Sequence, residues 1–195
     1  MNLRLIAILL AISLATACEK EQPEHRYSVD IRWTSFGIPH VLADDWGSLG
    51  YGFAYAASID GICVFAKELA TANGTLSADF GPTDENFASD VFHRGILTKE
   101  RLAHHRSAVP AEAAEYNTGF VAGYNRYLQD YAGKMPASCN GADWVRPLVD
   151  GDLDRMMVAF GIRYGLGFFK EEMAAAAPPG ETLEQVAFDA GPVQG

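Results

Sequence analysis

Serine, histidine and carboxylate are the groups this chain offers for hydrolytic chemistry, and their spacing gives none of them an evident catalytic partner. Ser35 in "WTSFG" and Ser48 in "DWGSLG" lie near glycines. Neither sits in G-x-S-x-G, the strained turn that presents a nucleophilic serine. His104 and His105 are adjacent, so on a helix they diverge by about 100° and do not readily share a metal. His40 and His93 each stand alone and read as hydrogen-bonded structural residues. Asp84, Glu85 and Asp90 share one segment and could attract calcium, but their intervals are not those of an EF-hand loop. The triplet "NGT" at 73–75 has the form of a glycosylation acceptor, which a bacterial leader makes irrelevant.

The leader occupies residues 1–17. Arg4 supplies its positive end, and "LIAILLAISLA" is an apolar run too short to span a bilayer as a mature helix. The run closes on "ATAC", which resembles a bacterial lipoprotein signal with Cys18 lipidated as the new N-terminus. Ordinary cleavage near Ala17 is the alternative. Either route leads out of the cytoplasm to the periplasm, with membrane contact only through the lipid anchor. Residues 18–26, polar and containing Pro23, read as a short tether. Of the remaining cysteines, Cys63 and Cys139 form a pair, most simply a disulfide in an oxidising compartment. Such a bridge stabilises by roughly 4 kcal/mol on the chain-entropy account. Two buried free thiols are the alternative, and neither cysteine has a partner at metal-ligand spacing.

The elements that would position any site follow from periodicity. At 195 residues, 49% hydrophobic and 21% charged, the composition is that of a globular domain with a core. A formal charge of −10 without a basic cluster argues against a nucleic-acid partner. "YSVDIRW" and "IPHVLA" alternate around "TSFG", predicting a β-hairpin over 27–43. Asp44 or Asp45 can cap a helix over 46–71 that is dense in Gly and Ala, with Gly61 marking a bend. Residues 73–90 read as a long turn-rich connection. A short helix over 99–106 follows, and Pro110 suits the first position of the next. There Ala113, Tyr116, Phe120, Tyr124, Tyr127 and Tyr131 recur at helical spacing and read as core. A last helix runs over 152–177 and is stopped by Pro178 and Pro179. A hairpin and four or five helices result. A lone hairpin is marginal unless it joins a larger sheet.

The stretch "IRWTSFGIPHVLADDWGSLGYGFAYAASID", 31–60, resembles the opening of the small chain of the penicillin acylase family of N-terminal-nucleophile amidases. The likeness continues through "FG" (80–81), "NFASDVF" (86–92), "FVAGYNRYL" (120–128), "SCNGADWVRP" (138–147) and "AAAAPPG" (174–180). It covers most of 27–180 and, within the family, points toward the acyl-homoserine lactone acylases. "TANGTLSADFG" departs from the Arg-Gly-Glu-Arg-like run usual before Phe-Gly. The paired cysteines also fit that subgroup.

The resemblance implies a mainly α fold with an N-terminal β-hairpin, the α-chain portion of an αββα N-terminal-nucleophile hydrolase. Residues 181–195 would then be the start of a spacer or the chain end. The catalytic serine would follow Gly195 on a large β chain, with its own α-amine as base, and the oxyanion donors would lie there too. No catalytic residue is expected in this chain. What it would contribute is a wall of the acyl pocket, from Met156, Met157, Phe160, Gly161 and Tyr164 in the last long helix, with Met156, Phe160 and Tyr164 on one face. The substrate would be an N-acyl amide and the partner the β chain of the same precursor. No cofactor is implied. Calcium occurs in some relatives, and Glu171 and Glu172 lie near the relevant region, but no metal ligand is assigned. The alternative function is a free-standing periplasmic lipoprotein that uses this scaffold to bind a partner.

Overall fold

A computed structural model describes residues 26–177. The leader, Cys18, most of the tether, Pro178, Pro179 and residues 181–195 lie outside the described residues. Strands β1 (Asp30–Trp33) and β2 (Pro39–Leu42) precede helices α1 (Trp46–Asn73), α2 (Leu76–Phe80), α3 (Asp84–Ile96), α4 (Lys99–Ser107), α5 (Ala111–Asp130) and α6 (Asp152–Arg163). A 3₁₀ turn (Leu166–Phe169) and α7 (Lys170–Ala174) follow. The result is mainly helical with one two-stranded antiparallel sheet.

β1 and β2 pair with Ile31 opposite Val41 and Arg32 opposite His40. Thr34 organises the reversal: its hydroxyl accepts from the Phe36 and Ile38 N–H groups at 3.3 and 3.1 Å. Gly37, at φ +76°, supplies the left-handed residue the turn needs. The hairpin lies on α1 at Gly52, where a Cβ would come within 2.4 Å of Val29 Cγ2 and 2.8 Å of Val41 Cγ1.

Asp45 caps α1, accepting from Ser48 N–H at 2.7 Å, and Gly74 ends it in the left-handed region. Gly61 interrupts the helical dihedrals at φ −137°. α1 packs along α5 with almost no side chains between the backbones. A Cβ on Gly119 would lie 1.8 Å from Gly47 O, one on Gly50 2.0 Å from Tyr116 O, and one on Gly123 2.1 Å from Tyr51 O. On either side of this seam Ile62, Leu69, Phe120, Tyr124, Tyr127 and Met156 form the core. The aromatic stripe of α5 is therefore core.

Residues 73–90 are not an extended connection; they hold α2 and the start of α3. Asp90, buried in α3, accepts from Leu76 and Ser77 N–H at 2.8 and 2.9 Å and so satisfies the first amides of α2 from across the fold. Thr83 caps α3, with Asp84 and Glu85 in its first turn and His93 and Arg94 in its last, an order that complements the helix dipole. Pro110 sits one residue earlier than expected, as the N-cap of α5 with ψ 152°.

The last helix is also shorter than expected. α6 stops at Arg163, and Tyr164 already has ψ 23°. Gly161, Gly165 and Gly167 fall within seven residues, and each glycine carries about 1 kcal/mol less helix propensity than alanine. The chain turns through 3₁₀ geometry before resuming as α7, which lies against α3.

Candidate functional site

α6 is fixed at its start by charge. Asp152 is buried and accepts from Arg146 at 2.7 and 3.1 Å, from Val149 N–H at 2.8 Å and from the Asn73 amide at 3.3 Å. Burial works against its charge, but the Arg146 hydrogen bond and the other donors outweigh that and hold its carboxyl below the usual range. Arg106 grips Asp154, in the same first turn, at 2.8 and 2.5 Å. The other end is held by Arg163, which pairs with Glu68 of α1 and stands 4.7 Å over the Phe160 ring. The helix is thus clamped at both ends onto α1 and the 146–149 segment.

That clamp divides the five pocket candidates. Met156 is 3% exposed and belongs to the core with Leu153 and Ala159. Met157 and Phe160 are 49% and 42% exposed, Gly161 is exposed, and Tyr164, just past the helix, is 80% exposed. The exposed set is therefore Met157, Phe160, Gly161 and Tyr164, spaced i, i+3, i+4 and i+7, which is one helix face. The expected row Met156, Phe160, Tyr164 does not share a face with solvent. A four-residue step advances about 40° around a helix, so Met156 stands to one side of Phe160, toward Ala159 and the core. Leu166, Phe168 and Phe169 extend the exposed apolar surface, with Phe168 6.3 Å from the Tyr164 ring. The sequence reading omitted them because it treated "GLGFF" as helix. Three glycines, Gly161, Gly165 and Gly167, ahead of an aromatic pair were the available signal.

Beside this face, α1, α3 and α6 enclose a polar cavity of about 450 Å³ lined by Lys67, Glu68, Ser89, His93, Arg163 and Lys170. His93 Nδ1 lies 2.8 Å from the Ser89 carbonyl, which fixes that nitrogen as the donor in the neutral ring. Burial depresses its pKa, and the nearby Lys170 and Arg163 add to the effect. This histidine carries a signal the sequence hid, since its spacing partner Ser89 is unremarkable by type.

The remaining candidates do not converge. Ser35 is exposed in the hairpin turn. Ser48, buried in the first turn of α1, braces the capping Asp45, donating to it at 2.7 Å and accepting from Ser28 N–H at 3.0 Å. His40 and His104 are exposed. Asp84 and Glu85 point to solvent while Asp90 is spent on α2. Glu171 and Glu172 are exposed on α7. Among the described residues no group of three or more His, Cys, Asp or Glu side chains is placed to hold a metal. Cys63 and Cys139 are bonded at an S–S distance of 2.03 Å, tying α1 to the 138–147 loop.

Comparison with known proteins gives a consistent relation. The family profile described as penicillin amidase matches residues 28–173. The acyl-homoserine lactone acylase PvdQ of Pseudomonas syringae pv. tomato is 37% identical over 196 residues, covering 97% of this chain and 25% of that protein. The aculeacin-A acylase of Actinoplanes utahensis is 35% identical over 195 residues, covering 92% of this chain and 25% of that protein. A solved thermostable penicillin G acylase from Alcaligenes faecalis superposes with a TM-score of 0.63 at 26% identity, covering 72% of this chain and 75% of the matched one. The chain spans about a quarter of the length of the curated relatives it matches.

Proposed function

The chain belongs to the penicillin amidase family, and from that premise we propose that it is the α subunit, or a truncated precursor, of a secreted amidase that hydrolyses N-acyl amides. The nucleophile belongs to a β chain of the same precursor. Its N-terminal hydroxyl attacks the amide carbonyl while its own α-amine takes the proton; the substrate amine leaves, and water releases the acid from the acyl-enzyme. A free α-amine has a pKa of about 7.7–8.0, which suits it to that proton near neutrality.

The observation that carries this reading is the exposed face formed by Met157, Phe160 and Gly161 on a helix clamped at both ends, continued by Tyr164 just past its last turn. Apolar, partly aromatic residues on a rigid helix suit an acyl chain, and thioether and ring can adapt to its length. Their exposure in this chain fits a pocket whose other wall is supplied by the β chain. The hairpin gives a second argument of the same kind. Its two strands have no other sheet neighbours among the described residues, and Phe36 is 91% exposed at its tip. In the αββα arrangement it joins the β chain's sheet. Similar coverage of the chain and of the matched penicillin G acylase chain also suits a subunit of comparable length. Acyl-homoserine lactones and aculeacin A, the compounds in the relatives' names, are the first amides to try. Residence in the periplasm on a Cys18 lipid anchor follows from the leader.

The test is co-expression of this chain with the coding sequence that follows residue 195, assayed against an acyl-homoserine lactone, an acylated lipopeptide and penicillin G. Amide hydrolysis by the pair, and none by this chain alone, is the expected result. Hydrolysis by the isolated chain would overturn the assignment of the nucleophile to a β chain.

A further inference from the structure

Two Asn-Gly pairs occur in the chain, 73–74 and 140–141, and their surroundings are opposite. An asparagine followed by glycine is open to attack by the glycine nitrogen on its side-chain Cγ, because glycine has no side chain to crowd the five-membered ring that forms. The N–Cγ bond forms, the Cγ–Nδ2 bond breaks, and the amide nitrogen departs as ammonia. Water then opens the ring at either carbonyl to leave aspartate or isoaspartate. The reaction needs a glycine N–H free to lose its proton, room for the side chain to fold back, and water.

Asn73–Gly74 lacks the first two of these. Gly74 N–H donates to Thr71 O at 3.0 Å as the cap of α1, and Asn73 Nδ2 donates to Leu69 O at 3.0 Å and Asp152 Oδ1 at 3.3 Å. The site is also crowded: a Cβ on Gly74 would lie 2.7 Å from Arg94 Cγ. Asn140 and Gly141 are both exposed. Among the described residues Gly141 N–H has no backbone acceptor and the Asn140 side chain has no hydrogen-bond partner, although the Asn140 N–H donates to Pro136 O at 2.9 Å. Nothing lies within 4 Å of a Cβ built on Gly141. The pair lines a solvent-open hollow of about 500 Å³ with Asn125, Met135 and Val145, which admits water.

We propose that Asn140 is a site of spontaneous covalent modification, at which the Gly141 nitrogen displaces the side-chain amide and water resolves the ring to aspartate and isoaspartate. The inference stands apart from the α-subunit reading. Its product adds a carboxylate between Cys139 and Asp143, in the stretch leading to Trp144, whose ring lies 4.9 Å from Phe80. The Cys63–Cys139 bond keeps the altered loop attached to α1.

The full chain is incubated in mildly alkaline buffer, and its peptides are followed by mass spectrometry with isoaspartate detection. The Asn140 peptide should convert at least about tenfold faster than the Asn73 peptide, the factor given by roughly 1.4 kcal/mol of local opening. In denaturant both should convert at similar rates. Asn140→Gln should abolish the fast conversion while leaving the circular dichroism unchanged, and Gly141→Ala should slow it. Equal rates at the two sites in the folded chain would overturn the proposal. So would an unchanged Asn140 while the denatured chain converts.

Discussion

The α1–α5 seam and the outer face of α6 make opposite choices of residue size. Along the seam Gly50, Gly119 and Gly123 bring two backbones together until no Cβ fits at any of the three. On α6, Met157 and Phe160 project large apolar groups into solvent within one turn of the buried Met156. The first arrangement is complete within the chain, because backbone against backbone leaves no room for another partner. The second is incomplete, because apolar side chains of that size gain their full transfer free energy only when covered. Closure in one region and exposure in the other separate what this chain packs by itself from what it leaves uncovered.

The closed side should be the easier one to break. Gly119→Leu forces a side chain onto the Gly47 carbonyl and is expected to cost at least about 3 kcal/mol, read as a lowered midpoint in urea unfolding or as failure to fold. Removing the bridge by Cys63→Ala with Cys139→Ala should cost roughly 4 kcal/mol on the chain-entropy account, seen as a lower melting temperature that no longer responds to reductant. The open side should behave differently. Phe160→Ala, which removes a half-exposed ring and its stacking with Arg163, is expected to cost only about 1 kcal/mol, and on the α-subunit reading proposed above to alter acyl-chain preference. A large stability loss there would erase the distinction between the two faces. The smallest effect concerns His93, which lines the cavity next to α6. Its folded pKa lies below the unfolded value of about 6.5, so the folded chain binds its proton less readily. Stability should therefore fall as pH drops below the unfolded value, and the loss should level off once pH passes below the folded pKa. His93→Gln should flatten that part of a pH–melting profile.

Much of the closed side was legible in the sequence. Asp45 before a Gly- and Ala-rich run marked the start of α1, Gly61 its bend, and the aromatic period of α5 its buried stripe. These signals are local, since a cap, a glycine and a repeat act on their own neighbours. α3 was missed because Gly81, Pro82, Thr83 and Asp84 read as turn formers, although Thr83 followed by two acids is also a helix start. The pocket candidates were named by type and only partly by face. Which of Met156 and Met157 turns outward depends on where α1 sits and on the Arg163–Glu68 pair that holds the helix to it. Neither is visible from spacing within α6. The coupling of Asp90 to α2 was hidden for the same reason, since a carboxylate capping another helix leaves no periodic trace.

The Cys63–Cys139 bond encloses α2 to α5 in a covalent ring. Under the proposed periplasmic residence the chain meets proteases, and the exposed turns between these helices are where a first cut would fall. A single cut between the two cysteines would leave both fragments joined through sulfur and packed along the glycine seam. Such a nicked chain would run as one species without reductant and as two with it, and its α6 face would keep the support on which it rests.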